Sequence, residues 1–143
     1  MLVYMDLCCF NRPFDDQSQP RVYLETEAKL FIQRKIKDGK IALAWSYMLN
    51  YENSANPDIE ARHSIDRWHA IAGRTITASP TIITDAARFH DAGFGAKDSL
   101  HIACALECKA DCFITVDKGI LAKQASVVDL KIMNPVEFII LEE

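Results

Sequence analysis

The chain has 143 residues, half of them hydrophobic and a quarter charged, with a formal net charge of −4. That is enough apolar material for a single domain over residues 1–143 with a real core, and it excludes a disordered chain. It also excludes a protein that holds nucleic acid by overall positive charge; an acidic protein that acts on nucleic acid needs metal ions at its acids and a local basic rim.

The first segment, "MLVYMDLCCFNRP", is apolar, carries Asp6 early and lacks a basic start. It reads as a buried strand ending at Asp6 and not as a signal peptide. "NRPFDDQSQP" is a loop rich in turn formers. From Arg21 to Lys37, Leu24, Ala28, Phe31, Ile32 and Ile36 recur at helical spacing, and Gly39 closes the helix. "IALAW", residues 41–45, has strand length, and a helix follows over Tyr47 to Ser54. "NPDIE" starts the next helix, with Asn56 as N-cap and Pro57 at its first position; Gly73 stops it. Ser79 and Pro80 open another in the same way, ended by Gly93. A further helix begins at Asp98 and ends near Ala110. "CFITV" is a strand, "DKGILAKQ" a short helix, "LKIM" a last strand and "NPVEFI" a last helical turn.

This alternation predicts an α/β fold, a three-layer α/β/α arrangement around a central, mainly parallel sheet. No run approaches the roughly 20 apolar residues of a membrane span. Five cysteines, two of them adjacent at Cys8 and Cys9, do not form a disulfide framework and point to a reducing cytoplasm.

In such folds ligands sit at the carboxyl ends of the strands. Asp6 and Asp117 lie at or just past two such ends, and Asp98 starts the helix that leads to the second. Each acid alone has a plain structural reading: Asp98 and Asp117 as helix-start residues, Glu52 as a solvated helix residue. Asp6 is harder to dismiss, because a charge ending an apolar strand is costly when unpaired. Taken together they mean more. Two carboxylates about 4 Å apart repel by about 4 kcal/mol at an effective dielectric near 20. A divalent cation relieves that repulsion, and oxygen-only ligation suits Mg²⁺ or Mn²⁺.

Three stretches carry a resemblance: "VYMDLCCFNRPFDDQ" at the front, "GFGAKDSLHIACALECKADCFITVDKGIL" over residues 93–121, and "NPVEFI" over 134–139. They resemble the PIN domains, metal-dependent ribonucleases that include the VapC-type toxins. Asp6 matches the family's strand-ending Asp, Asp98 its helix-start Asp, Asp117 the acid of its "T.D" after the next strand, and Glu52 its Glu early in the helix after strand two. The resemblance implies a metal-dependent endoribonuclease with Asp6, Glu52, Asp98 and Asp117 as catalytic acids. Asp6, Asp98 and Asp117 would hold Mg²⁺ or Mn²⁺. Thr115 would support a carboxylate or a water. Arg12, Lys97 and Lys118, adjacent in sequence to the acids, would meet substrate phosphates. The family's polar residue after the first Asp is absent: Leu7, Cys8 and Cys9 follow Asp6, so the helper role falls to Asn11 or to no residue. RNA is the implied substrate, and an antitoxin protein and a second copy are the implied partners; Trp68 or Phe89 could serve the latter as apolar contacts, with core packing as their plainer reading.

His101, Cys104 and Cys108 share one helix face, but three ligands strung along one helix span more than one ion reaches, and no paired CxxC elements occur. The cysteines read as buried packing. His101, one turn after Asp98, either pairs with an acid or sits in the core. His63, His69 and His90 read as ordinary helix residues. A haloacid-type phosphatase would want an acid at Cys8, and a receiver domain an acid pair and a phospho-accepting Asp that are missing. The remaining alternative is a catalytically weak PIN-like module that binds RNA or protein, against which the intact acid set argues.

Overall fold

The protein is described here by a computed structural model covering residues 1–142. Strand β1 (Leu2–Met5) leads through Asp6 into a short helix α1 (Leu7–Asn11) and a 3-10 turn (Arg12–Phe14). Then come α2 (Pro20–Lys37), β2 (Ala42–Ser46), α3 (Tyr47–Ser54), α4 (Ile59–Ile71), β3 (Arg74–Ile76), α5 (Pro80–Asp91) and α6 (Ala96–Glu107). The chain closes with β4 (Cys112–Ile114), α7 (Lys118–Ala122), a 3-10 turn (Gln124–Ser126), β5 (Lys131–Met133) and α8 (Pro135–Glu142).

The strands form one sheet in the order β3-β2-β1-β4-β5 with every pairing parallel. The expected α/β architecture with a central parallel sheet is the one found. β1 sits at the centre and pairs β2 on one side, Val3 opposite Leu43, and β4 on the other, Tyr4 opposite Phe113. Val3, Tyr4, Met5 and all of β4 are buried, so helices must cover both faces, which is why these strands read as unbroken apolar runs. α2 packs on α8, and α5 packs on α6. Tyr4 stacks on Phe113 with ring centroids 5.3 Å apart, and Phe10 meets Trp45 edge-on. Each such fully buried large side chain contributes about 1.5–3 kcal/mol of burial free energy.

Local signals set many boundaries. Ser46 caps α3 by accepting from Leu49 N at 3.2 Å, and Ser79 caps α5 by accepting from Ile82 N at 3.3 Å, with Pro80 at the first position. Three expectations need correction, and one strand, β3, carries no signal in the sequence. Asn56 does not cap α4: its Oδ1 accepts from Asp58 N, and Asp58 caps the helix by accepting from Ala61 N. α6 starts at Ala96, so Asp98 lies inside its first turn. The same helix ends at Glu107, in a left-handed turn at Lys109 (φ 58°) closed by Lys109 N to Leu106 O and Ala110 N to Ala105 O. A non-glycine at that position gave no stop signal. Finally, β3 has no apolar run, because only Ile76 of its three residues is buried.

α2 departs most from its pattern. Ala28, Ile32 and Ile36 face the core as expected, but Leu24 is 57 % and Phe31 39 % exposed. The buried face instead carries Glu25, Lys29 and Gln33. Trp68 and Phe89 are buried in the core, so neither offers an apolar contact to a second copy. No helix among the described residues is long and apolar enough to cross a membrane.

Candidate metal centre

Asp6 leaves β1 at the point where the sheet ends, and its backbone N–H donates to Ile114 O of β4 at 2.9 Å. The carboxylate is buried and fully engaged. Oδ1 accepts from Leu7 N at 2.8 Å, and Oδ2 accepts from the Thr115 hydroxyl at 2.9 Å. Thr115 in turn accepts from Asp117 N at 3.1 Å. One hydroxyl therefore ties the first acid to the backbone of the last. Asp117 points one oxygen at Ile120 N, 3.0 Å away, and so caps α7. Here the capping role and placement beside the other acids coexist, and the two readings of the sequence do not compete.

Asp98 enters from α6. Its carboxyl is pushed up to about 6 by burial, then by the charges of Asp6 and Asp117, with His101 opposing and Glu52 adding to the rise. Asp6 is raised as well, chiefly by burial and against the pull of His101 and Thr115. Asp98 thus feels the charges of Asp6, Asp117 and Glu52, and Asp6 that of Glu52, at the carboxyl edge of β1 and β4. That repulsion is what a divalent cation would relieve.

A histidine completes the group. His101, in α6 and almost wholly buried, places Nδ1 2.6 Å from the Tyr4 hydroxyl, which also meets Ser46 Oγ at 2.7 Å. Its other nitrogen, Nε2, hydrogen-bonds Glu52. Burial alone would lower His101, but Glu52, Asp6 and Asp98 outweigh it and raise the imidazole. Burial would likewise raise Glu52; the His101 bond and charge and the charge of Lys97 leave it lowered. Donor atoms of Asp6, Glu52 and His101 lie within 4.8 Å of one another, close enough to share one ion. The sequence left His101 open between acid pairing and core. Both hold: it pairs with Glu52 from inside the core. The available signal was its position one turn after Asp98, on the same helix face.

The supporting residues divide. Cys8, not Asn11, stands beside the acids, with Sγ 3.5 Å from Asp6 Oδ2 and 3.4 Å from Thr115 Oγ1. Asn11 is turned away and accepts from Asn56 Nδ2 at 3.1 Å. Lys97 and Lys118 are exposed next to Asp98 and Asp117. Arg12 is not free for a substrate phosphate: its guanidinium meets Glu25 at 2.9 Å and Asp15 at 3.0 Å. Cys104, Cys108 and Cys112 are free and buried, as packing residues should be. A cleft lined by Met1, Asp111, Lys131, Phe138 and Glu142 sits at the opposite, amino ends of β1, β4 and β5, away from this chemistry.

The raised Asp98 fixes a pH dependence. In the folded protein it keeps its proton up to about pH 6, whereas unfolded it releases it near its ordinary 3.8. The folded state therefore binds more protons between those values, and its stability falls as pH rises through that window. Denaturation of the metal-free protein across pH 4–7 is expected to show this fall between about pH 4 and 6 and a plateau above it, and saturating Mn²⁺ is expected to remove it. A stability that instead climbs steadily with pH would contradict the placement of Asp98 among the other acids.

No family model and no curated protein matches the chain. Solved structures do. VapBC2 from Rickettsia felis bound to a DNA fragment from their promoter aligns over 94 % of this chain and 98 % of the matched chain, with a TM-score of 0.58 and 14 % identity. FitAcB from Neisseria gonorrhoeae aligns over 93 % and 97 %, at 0.59 and 16 %. VapBC-1 from nontypeable Haemophilus influenzae aligns over 94 % and 98 %, at 0.59 and 13 %. At these identities the likeness shows the fold, and that fold is the PIN-like one the sequence led us to expect.

Proposed function

We propose that the chain is a divalent-metal-dependent endoribonuclease of the PIN type, the toxin of a toxin–antitoxin pair. The observation that carries the reading is the convergence of Asp6, Glu52 and His101, whose donor atoms lie within 4.8 Å of one another, beside Asp98, which feels the charges of Asp6, Asp117 and Glu52. The neighbouring structures support it, since they are named as VapBC2, FitAcB and VapBC-1 and align over nearly the whole chain.

The donor set suits Mg²⁺ or Mn²⁺: hard carboxylate oxygens in mutual repulsion, with Asp6, Asp98 and Asp117 as the ligands. When bound, such an ion stabilises negative charge on a phosphoryl group undergoing hydrolysis. The chain's own residues do the rest. Thr115 fixes the Asp6 carboxylate against Asp117, and the short helix α1 holds it from the other side through Leu7 N. His101, anchored on Tyr4, fixes Glu52. Lys97 and Lys118 are the exposed cations placed to meet RNA phosphates, giving an acidic protein the local basic rim it needs. An antitoxin would engage this face or one beside it.

The test is cleavage of single-stranded and structured RNA with Mn²⁺, with EDTA, and with Mn²⁺ restored in excess. Cleavage is expected only when the ion is present. Activity that persists in EDTA would end the metal-dependent reading. Tight RNA binding without any cutting would favour the binding module instead.

A further inference from the structure

A second cluster lies outside the acidic edge, on the cleft between α2 and α4. The cleft measures about 340 Å³, and its walls include Lys29, Gln33 and Lys37 from α2 and Ser64, Arg67 and Trp68 from α4. The protein is acidic overall, yet three basic side chains meet here and the lining contains no Asp or Glu. Among the described residues, Lys29, Lys37 and Arg67 form no ion pair.

Two of these groups are buried without a match. Lys29 is only 4 % exposed, on a helix face that otherwise packs into the core. Its Nζ lies 5.7 Å from the centre of the Phe10 ring, so its inner side rests on an aromatic face. Burial pulls its ammonium down to about 8, and Lys37 adds to the fall. Gln33, one turn on, is 5 % exposed, and its side-chain Nε2 finds no partner. Lys37 Nζ stands 5.1 Å above the Trp68 ring, at the same cleft. A buried cation with no counter-charge and a buried N–H with no acceptor are both unfavourable in the free protein. Both are relieved by one change, the arrival of an anion rich in acceptor oxygens.

We propose that this cleft binds a phosphate group, with Lys29 and Gln33 as its buried donors and Lys37, Arg67 and Ser64 completing the ring. The donors outnumber what one carboxylate can accept, whereas the oxygens of a phosphate monoester can use them. The apolar wall of Phe14, Leu30 and Ile71 gives room for the organic part of a nucleotide. The phosphate can come from a free nucleotide or inorganic phosphate, or from a phosphorylated RNA end. The site is independent of the metal centre, so it stands or falls separately from the proposed nuclease reaction.

The experiment is thermal denaturation of the full chain in EDTA, which removes any ion that would itself bind phosphate, at constant ionic strength. The probes are inorganic phosphate, a nucleoside monophosphate and an RNA oligonucleotide with and without a terminal phosphate, with acetate as control. A saturable rise in melting temperature is expected for phosphate-bearing probes and not for acetate. A response to inorganic phosphate or the monophosphate identifies a small ligand, and a response confined to the phosphorylated oligonucleotide identifies an RNA end. Lys29→Met is expected to raise the melting temperature without ligand, since it removes an unpaired buried charge, and to weaken phosphate binding about tenfold or more. Gln33→Leu gives a second, milder check with the same direction on binding. The proposal is overturned if no phosphate-bearing probe shifts the transition, or if the shift is unchanged in both variants.

Discussion

Asp98→Asn is expected to reduce metal-dependent RNA cleavage by at least about a hundredfold and, in the absence of metal, to make the protein more stable. The two effects have one cause. Asp98 is the acid on which the others act most visibly: burial, Asp6 and Asp117 together push it up to about 6. Asparagine has nearly the same shape and carries no charge. It therefore ends the repulsion in the free protein and removes an anionic ligand from the ion. A denaturation midpoint measured in EDTA should rise in the variant, and the further rise caused by Mn²⁺ in the wild type should shrink or vanish. A variant that keeps wild-type cleavage would remove Asp98 from the catalytic set. One that loses both cleavage and metal-free stability would show Asp98 acting as a structural residue instead.

The second large effect lies in the hub that braces this edge. Glu25→Ala is expected to cost about 3–5 kcal/mol, a large share of the 5–15 kcal/mol typical of a small domain. The Glu25 side chain is only 2 % exposed and serves three elements. One oxygen takes Arg12 from the 3-10 turn at 2.9 Å; the other takes Arg21 of α2 at 3.1 Å and also Asn134, just before α8. Arg21 reaches on to Val116 O at 3.1 Å, immediately before Asp117. Removing the carboxylate leaves Arg12 with Asp15 alone, strips Arg21 of its carboxylate partner and takes the acceptor from Asn134. Urea denaturation of the variant checks the magnitude, and a loss under about 1 kcal/mol would mean that water replaces Glu25 without strain. The same network explains why Arg12, beside the acids in sequence, is not a phosphate contact. It is half of a buried ion pair.

How much of this was written locally in the chain can be judged residue by residue. Ser79-Pro80 and the stretch from Ser46 to Ser54 carry their own capping chemistry, and the structure follows it closely. Asp6 and Asp117 were placed by the rule that parallel strands deliver their carboxyl ends to one edge, which requires no knowledge of contacts. The failures share a different property. Whether Asn56 or Asp58 caps α4 depends on an Asx turn one step earlier, and both residue types satisfy the local preference. Leu24 and Phe31 obey helical spacing as well as Ile32 does, but where α8 docks decides which stripe is covered. Glu25 on a buried face looks wrong in sequence because its partners, Arg12 and Asn134, come from 13 and 109 residues away. His101 likewise acquires its role from Tyr4 and Glu52, residues on other elements.

The hydrogen bond from Thr115 to Asp6 joins positions 109 residues apart, and β1, the first strand made, receives β4 among the last. Closing a loop of that length carries an entropic cost that local helices do not meet. Until it happens Asp6 has neither Thr115 nor Asp117 beside it, and no contiguous segment shorter than residues 6–117 contains all four acids. The charged edge therefore exists only in a chain whose two ends have met. A fragment lacking either end cannot assemble the four carboxylates, so the self-repulsion of the centre and the sheet that restrains it come together or not at all.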